Sequence, residues 1–307
     1  MYNRNFLEDI KKFFLSRNML SNLIIINIIV FVIANFINLF FFLFKLPPEL
    51  TICGTTISRF SNWFAVPSNP LLLIEKPWTI FTYMFLQENF FHILFNMIML
   101  YFGGSIFLQF LGSKKLLTIY ILGGLFGAVF YILAFNFFPV FSEVSQCSAA
   151  LGASASVIAI LVAIAVYVPD YSVVLLLFGR IRLKYIALFF VIIDILSIEK
   201  ENPGGHIAHL GGALMGFIYI LFLKKNIFQF NLFNNLINYF KKLLKPKSKL
   251  KVEYKRSGRP ISDDEFTKNR EENQKIMDGI LDKISKNGYD SLTSEEKNFL
   301  FSASNKK

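Results

Sequence analysis

Residues 206–223 read HIAHLGGALMGFIYILFL, a run that contains no Asp, Glu, Lys or Arg. A helix needs about 20 mainly apolar residues to cross the hydrocarbon core of a bilayer, so this run predicts a transmembrane helix. Five other stretches have the same character, and the six predicted spans are 19–44, 92–111, 116–138, 150–168, 185–198 and 206–223. The sequence therefore predicts an all-α membrane protein with a bundle of six transmembrane helices.

The composition agrees with a membrane protein. Of the 307 residues, 54% are hydrophobic and 17% are charged, whereas soluble domains average about 45–50% and about 25%. An intrinsically disordered protein is excluded, and two cysteines are too few for a disulfide-stapled secreted module. The net charge of +11 is concentrated in residues 224–307, which hold 19 Lys and Arg against 11 Asp and Glu. Beside membrane spans, such a basic tail favours anionic lipid headgroups over nucleic acid as its partner.

The Lys and Arg residues in the loops predict the orientation of the bundle. Cytoplasmic loops of membrane proteins are enriched in these residues. Here they precede span one and follow spans two, four and six, while the alternate connections hold few. We therefore expect a multi-pass protein of the plasma (inner) membrane with cytoplasmic N- and C-termini. Span one is long and no small-residue cleavage site follows it, so we expect a retained helix rather than a signal peptide.

Polar side chains gather at the starts of the three predicted spans that run inward from the outer face. Span two carries His92 and, one turn later, Asn96; span four carries Ser154; span six carries His209. At about 1.5 Å per residue, these groups lie at a similar depth. Polar groups there normally face one another or a water-filled cavity. An imidazole can take the proton of a serine hydroxyl, and an amide with a second imidazole can stabilise an oxyanion. The set therefore predicts nucleophilic acyl transfer.

These residues resemble the motifs of the rhomboid intramembrane serine proteases. That family carries G-x-S-x in the fourth core helix, A-H-x-x-G-x-x-x-G in the sixth and H-x-x-x-N in the second. Order, helix number and membrane side agree for all three motifs across residues 19–223. In this sequence the motifs are Gly152-Ala153-Ser154-Ala155, Ala208-His209 through Gly212 to Gly216, and His92 to Asn96.

The resemblance implies a role for each residue. Ser154 would be the nucleophile and His209 the general base of a dyad, while His92, Asn96 and the backbone N–H of Ser154 would form the oxyanion hole. The implied activity is that of a serine endopeptidase that cleaves membrane-anchored proteins near the outer face of the membrane, with no cofactor and no metal. The 45–91 loop resembles the first loop of the family, which lies half-embedded in the outer leaflet.

Three positions depart from the family pattern. Ala155 replaces the glycine that usually follows the nucleophile, and Ile158 replaces an aromatic residue that often packs against the catalytic imidazole. In the first loop, Thr79 replaces the arginine of a Trp-Arg pair. Two alternative functions stay open: a catalytically inactive rhomboid-like protein that binds membrane proteins, and a small-solute transporter. The transporter is disfavoured because the sequence shows no inverted repeat.

Other residues near the motifs receive structural interpretations. We expect Ser156 to be a helix-packing residue and His206 to be solvated at the rim. Asp194, near the outer end of span five, is expected to snorkel to the surface or pair with an asparagine. A zinc site is not expected, because no Asp, Glu or Cys stands at ligand spacing from His209. The glycines Gly152, Gly212 and Gly216 are expected to allow close packing near the site.

The cysteines and the C-terminal region complete the predicted organisation. Cys53 and Cys147 both fall in outer loops, where a disulfide could form, but we expect them to be unpaired. The predicted segments are a cytoplasmic arm at 1–18, the membrane domain at 19–224, a basic amphipathic segment and linker at 225–270, and a small cytoplasmic helical tail at 271–307. Within the tail, Thr293 and Glu296 have the spacing of a capping box. The partner of this tail is unknown.

Overall fold

The computed structural model describes residues 11, 13–16, 18–47, 49–52, 55–175, 179–200, 202–225 and 263–304. These residues are mainly helical, as the sequence predicts. In chain order the helices are α1 Met19–Leu43, α2 Arg59–Phe64, α3 Pro70–Glu75, α4 Thr79–Thr82, α5 Phe90–Leu111, α6 Ser113–Phe137, α7 Ser154–Tyr167, α8 Leu183–Ser197, α9 Pro203–Lys224, α10 Asp263–Asn287 and α11 Ser294–Ser304. Single 3₁₀ turns lie at Tyr83–Phe85, Pro139–Phe141 and Tyr289–Ser291.

The described residues also form three small antiparallel sheets of two strands each, which were not predicted. The strands are β1 Glu49–Ile52, β2 Thr55–Ser58, β3 Val66–Pro67, β4 Ala149–Ala150, β5 Ser172–Leu175 and β6 Gly179–Arg182, paired β1 with β2, β3 with β4, and β5 with β6. Two of the sheets join neighbouring strands. The β3–β4 sheet instead joins the loop before α5 to the residues just before α7, with Val66 opposite Ala150.

Four helices among the described residues are long and apolar enough to cross a membrane: α1, α5, α6 and α9. Each begins and ends within three residues of its predicted span. Much of their surface is apolar and has no protein neighbour; on α1, for example, Phe36 is 66% exposed and Phe42 is 70% exposed. Such a surface needs a lipid environment, because water would make its exposure costly. The chain is therefore a multi-pass membrane protein.

Helix α7 is the most buried helix of the membrane domain. All of its residues from Ala155 to Ala165 are buried, and α5, α6, α8 and α9 all pack against it. It has only 14 residues, which correspond to about 21 Å of helix. The predicted span began at 150, but Ala149 and Ala150 are held in β4 instead, and α7 begins at Ser154.

Glycines allow α9 to approach α7 so closely that the backbones of the two helices are in contact. A Cβ atom at Gly212 would overlap the carbonyl oxygen of Ala155, and one at Gly216 would overlap the carbonyl oxygen of Ala159. Both pairs advance by four residues along both helices, so the two helices run parallel in a fixed register. Gly212 and Gly216, predicted to allow close packing, therefore lie at the contact between α9 and α7.

Helix α8 presents an apolar surface outward and one acidic residue inward. Phe189 and Leu196 are more than half exposed, whereas Asp194 is buried. The helix has 15 residues and packs against α7 and α9. A buried carboxylate in such surroundings needs hydrogen-bond donors, because an unpaired buried charge is costly.

Polar contacts tie the loop before α5 to the loop between α6 and α7. The hydroxyl of Ser68 is within hydrogen-bond distance of the carbonyl oxygens of Ser145, at 2.6 Å, and Ser148, at 2.8 Å, and Asn136 donates to the carbonyl oxygen of Ser68. Cys147, in the same loop, is disulfide-bonded. The expectation of unpaired cysteines is therefore wrong; the sequence holds one other cysteine, Cys53, which lies outside the described residues.

Residues 263–304, the described part of the C-terminal unit, form the two helices α10 and α11. The capping box is confirmed, because the N–H of Thr293 donates to Glu296 Oε2 at 2.7 Å and the N–H of Glu296 donates to Thr293 Oγ1 at 3.4 Å. Lys283 of α10 also contacts Glu296 at 2.8 Å. Helix α10 begins eight residues before the predicted 271, inside the segment interpreted as a linker. The predicted amphipathic and basic stretch at 226–262 lies outside the described residues.

Candidate active site

Ser154 is the first residue of α7 and follows a glycine turn. Gly152 has φ of +135°, a backbone conformation that residues with a Cβ rarely adopt. Its N–H donates to the carbonyl oxygen of Tyr83 at 3.0 Å, which fixes the turn against the preceding loop. A Cβ at Gly152 would lie 3.1 Å from His92 Nε2 and 3.4 Å from Ser154 Oγ. Gly152 therefore leaves open a small space that both the serine hydroxyl and the His92 ring border.

His92 is held with a defined nitrogen facing that space. It lies in the first turn of α5, where Asn89 caps the helix by accepting the N–H of His92. The N–H of Glu88 donates to His92 Nδ1 at 3.3 Å. A neutral imidazole carries one hydrogen, so Nδ1 is the acceptor and Nε2 carries the hydrogen. His92 thus presents an N–H donor beside Ser154, which is the role that an oxyanion hole requires.

Asn96 lies one turn further along α5 and is buried in a polar network. Its Nδ2 donates to Gln87 Oε1 at 2.8 Å, and Gln87 Nε2 donates to Asn27 Oδ1 at 3.1 Å. Asn27 Nδ2 lies 3.1 Å from the hydroxyl of Tyr120, which donates to the carbonyl oxygen of Met84. The network fixes the Asn96 amide through groups on α1, α5, α6 and the loop before α5. One of its two N–H hydrogens is directed at Gln87.

His209 lies on α9 at nearly the same height as Ser154 on α7. The register of Gly212 with Ala155 places His209 level with residue 152, two residues from Ser154, or about 3 Å along the axis. The structure therefore brings the four predicted site residues to the end of the bundle where α5, α7 and α9 begin.

The contacts of Asp194 contradict two expectations about this end of the bundle. Its Oδ1 atom lies 2.8 Å from His209 Nδ1 and 2.8 Å from His206 Nδ1. Its side chain is 7% exposed, so it neither snorkels nor pairs with an asparagine. His206 is 22% exposed and binds this carboxylate, so the expectation of a solvated His206 is wrong. The two imidazole rings meet edge to face, with centroids 5.9 Å apart.

The same three side chains are the group of described residues that could hold a metal ion. Their ligand atoms lie within 4.8 Å of one another. This corrects the expectation that no acid stands at ligand spacing, because Asp194 comes from α8 rather than α9. Two ligands of a tetrahedral zinc, each about 2.0–2.1 Å from the metal, would be about 3.3 Å apart. The observed separation of 2.8 Å from each nitrogen to the oxygen matches a hydrogen bond instead.

The supporting residues, above all Asp194, Gln87 and Asn27, were not among the predicted site residues. The signal for Asp194 was present, since an acid inside an apolar span is a functional candidate by default. Gln87 and Asn27 are likewise polar residues in apolar surroundings, but which residues they meet depends on how three separate segments pack. Ser156, which we expected to be a helix-packing residue, is buried two residues after Ser154, and Gly124 packs against its hydroxyl.

Two comparisons with known proteins cover the region that contains these residues. A family model described as "Rhomboid domain" matches residues 75–226, which include all four site residues. The "RHOMBOID-like protein 12, mitochondrial" of Arabidopsis thaliana is 31% identical over 161 residues, which are 50% of this chain and 48% of the relative. The match thus spans about half the length of that relative. A second family model, "Family of unknown function (DUF6576)", matches residues 262–306, the region of α10 and α11.

Proposed function

Because residues 75–226 belong to the rhomboid family, we propose that this protein is an intramembrane serine endopeptidase. Ser154 is the nucleophile and His209 the general base, and His92, Asn96 and the backbone N–H of Ser154 stabilise the oxyanion. The observation that carries this proposal is the space at Gly152, bordered by Ser154 Oγ and by an Nε2–H donor of His92.

The chemistry follows from these positions. The hydroxyl of Ser154 attacks the carbonyl carbon of a peptide bond while its proton passes to His209. The carbonyl electrons move to oxygen, and the new oxyanion is stabilised by the N–H donors. When the intermediate collapses, His209 returns the proton to the leaving amine and an acyl-enzyme remains. Water then repeats the sequence and releases the second product.

The substrates are proteins anchored in the same membrane. A peptide bond inside a helix is shielded, so a substrate must unwind locally before it reaches Ser154. We propose that α7 and α8, although shorter than the other four, complete a bundle of six helices. With both termini in the cytoplasm of a plasma (inner) membrane, cleavage takes place near the outer face.

The basic region at 225–270 is proposed to bind anionic lipid headgroups. Each Lys or Arg near a negatively charged surface contributes about 1 kcal/mol of attraction. In the chain this region begins at the end of α9 and reaches into the start of α10, and its charge favours anionic headgroups as its partner. No nucleic acid is proposed as a partner.

A serine-directed fluorophosphonate probe tests the activity. Wild-type protein in detergent should be labelled, and Ser154→Ala and His209→Ala should not. Ser156→Ala is the matched control, because it removes a buried hydroxyl two positions away and should leave labelling intact. Labelling of Ser154→Ala at the wild-type level would remove Ser154 from its role. If the wild-type protein is not labelled, the alternative function is favoured: an inactive rhomboid-like protein that binds membrane proteins. Ile158 and Thr79, which depart from the family pattern, are the residues that would then be relevant.

A further inference from the structure

The side chain of Asp194 links two histidines of α9 to α8 from a buried position. Asp194 is 15 residues before His209 in the chain but on a different helix, and its Oδ1 lies 2.8 Å from Nδ1 of His209 and 2.8 Å from Nδ1 of His206. A buried carboxylate is retained at low cost only when such donors satisfy it. Both imidazoles are therefore anchored by one oxygen.

This contact fixes which nitrogen of His209 can act as a base. A carboxylate only accepts hydrogen bonds, so Nδ1 of neutral His209 must carry the hydrogen. The lone pair then belongs to Nε2, the nitrogen at the far end of the ring from Asp194. His92 has the opposite arrangement, since its Nδ1 accepts an N–H from Glu88. The two imidazoles at the site are thus set for opposite tasks, one to accept a proton and the other to donate a hydrogen bond.

We propose that Asp194 is a positioning residue for the reaction, so that the site works as a serine–histidine pair completed by a carboxylate. This inference rests on the proposed protease function. Asp194 holds His209 in the Nδ1–H form, orients its ring, and stabilises the imidazolium that forms when Nε2 takes the proton of Ser154. The proton moves from Ser154 Oγ to His209 Nε2 and later to the leaving amine. Asp194 stays ionised throughout.

His206 has a secondary part in this arrangement. It donates to the same oxygen as His209, and its ring meets the His209 ring edge to face. It therefore restrains the carboxylate without occupying the nitrogen that acts on Ser154. Removing His206 leaves the Asp194–His209 hydrogen bond possible, whereas replacing Asp194 removes the charge that both rings share.

The kinetic test compares Asp194→Asn with His206→Ala, using a membrane-anchored substrate and the full-length protein. Asp194→Asn preserves size but loses the charge, so kcat should fall about 10²- to 10⁴-fold, while KM changes less than about threefold. His206→Ala should lose less than about tenfold in kcat. A kcat for Asp194→Asn within threefold of wild type would overturn the proposal. So would an equal loss in both variants, because the cluster as a whole would then matter rather than the bond to His209.

A spectroscopic measurement tests the role of Asp194 without an activity assay. The protein has three histidines, so nitrogen-15 correlation spectra of histidine-labelled wild type can assign each ring with one variant per residue. The expected pattern is Nδ1–H for His209 and His206 and Nε2–H for His92. An Nε2–H ring at His209 would overturn the proposal even if Asp194→Asn failed to fold. If wild type resists fluorophosphonate while His209 is Nδ1–H, the proposed function fails but the Asp194 contact stands.

Discussion

Gly212 of α9 lies against the carbonyl oxygen of Ala155 in α7, so closely that a Cβ atom at position 212 would overlap it. Ala155 directly follows the candidate nucleophile, and Gly212 is one helical turn after the candidate base. The contact therefore sets the distance between the two helices that carry them. Small residues at such positions let membrane helices approach closely and gain packing contacts.

Replacing Gly212 with alanine is expected to destabilise the bundle. The methyl group meets backbone rather than a flexible side chain, so α9 must shift away from α7, at a cost of about 1–3 kcal/mol. Thermal unfolding in detergent should show a lower midpoint, and probe labelling at Ser154 should fall. Gly103→Ala is the matched control, because a Cβ there would lie at 3.7–3.8 Å from its neighbours, an ordinary contact distance. Equal midpoints for the two variants would contradict the close-contact explanation.

Removing the amide of Asn96 is expected to reduce catalysis. Loss of one oxyanion donor typically lowers kcat about 10²- to 10³-fold. Asn96→Ala should therefore cleave a membrane-anchored substrate more slowly with little change in KM. Asn35→Ala, which removes an exposed amide that donates within α1, should behave like wild type. A wild-type kcat for Asn96→Ala would exclude Asn96 from the oxyanion hole.

Gln87 should affect the same step through Asn96. Gln87→Ala leaves the buried amides of Asn96 and Asn27 without their shared partner, and each such loss costs about 1–3 kcal/mol of stability. We expect a lower unfolding midpoint and a smaller kcat loss than in Asn96→Ala. In the double variant Gln87→Ala/Asn96→Ala, the fold-loss in kcat should be smaller than the product of the two single losses, because both residues act on one group. Strict additivity would show that Gln87 acts elsewhere.

Cysteine reactivity provides a test of the outer loops. Cys147 is disulfide-bonded, so a maleimide should add no mass to wild-type protein until it is denatured and reduced. Cys147→Ser should then expose one reactive thiol without reductant, since the chain has two cysteines. Two mass additions to unreduced wild type would contradict the disulfide.

The C-terminal unit should lose stability in acid through Glu296. Hydrogen bonds from Lys283 and Thr293 hold the pKa of the Glu296 carboxyl below its usual range. A carboxyl with a lowered folded-state pKa adds stability above its unfolded pKa of about 4.3, and this stability is lost as pH falls through the folded pKa. Hydrogen exchange over residues 289–304 should be less protected at pH 3 than at pH 6, after correction for intrinsic rates. In Glu296→Gln the difference should shrink; an unchanged difference would assign it to other groups.

The long helices could be predicted from sequence because lipid imposes one simple requirement on them. An apolar run of sufficient length identifies α1, α5, α6 and α9 whatever their neighbours are. The start of α7 was misplaced because Ala149 and Ala150 pair with Val66 and Pro67, residues more than 80 positions away. No local sequence pattern predicts such a pairing.

The candidate site, too, could be predicted from the sequence only in part. Motif spacing placed Ser154, His209, His92 and Asn96 at one depth, since depth follows from position along each helix. The rotation of α8 about its axis does not follow from its sequence, so the contact of Asp194 with two histidines could not be foreseen. The tautomers of His206 and His209 depend on that contact, and the tautomer of His92 depends on the N–H of Glu88. The helices could be predicted from their own sequences, whereas the hydrogen-bonded partners of the site residues become known only from the folded structure.

The shortness of α7 bears on how hydrolysis can occur within lipid. Its 14 residues fill about 21 Å of a hydrocarbon layer about 30 Å thick. Before Ser154 the backbone is not helical, since Ala149 and Ala150 form β4 and Gly152 has a positive φ. Polar groups of such backbone are tolerated at membrane depth only when they are buried or hydrated. If Ser154 acts as proposed, hydration at the start of α7 would supply the water that hydrolyses the acyl-enzyme.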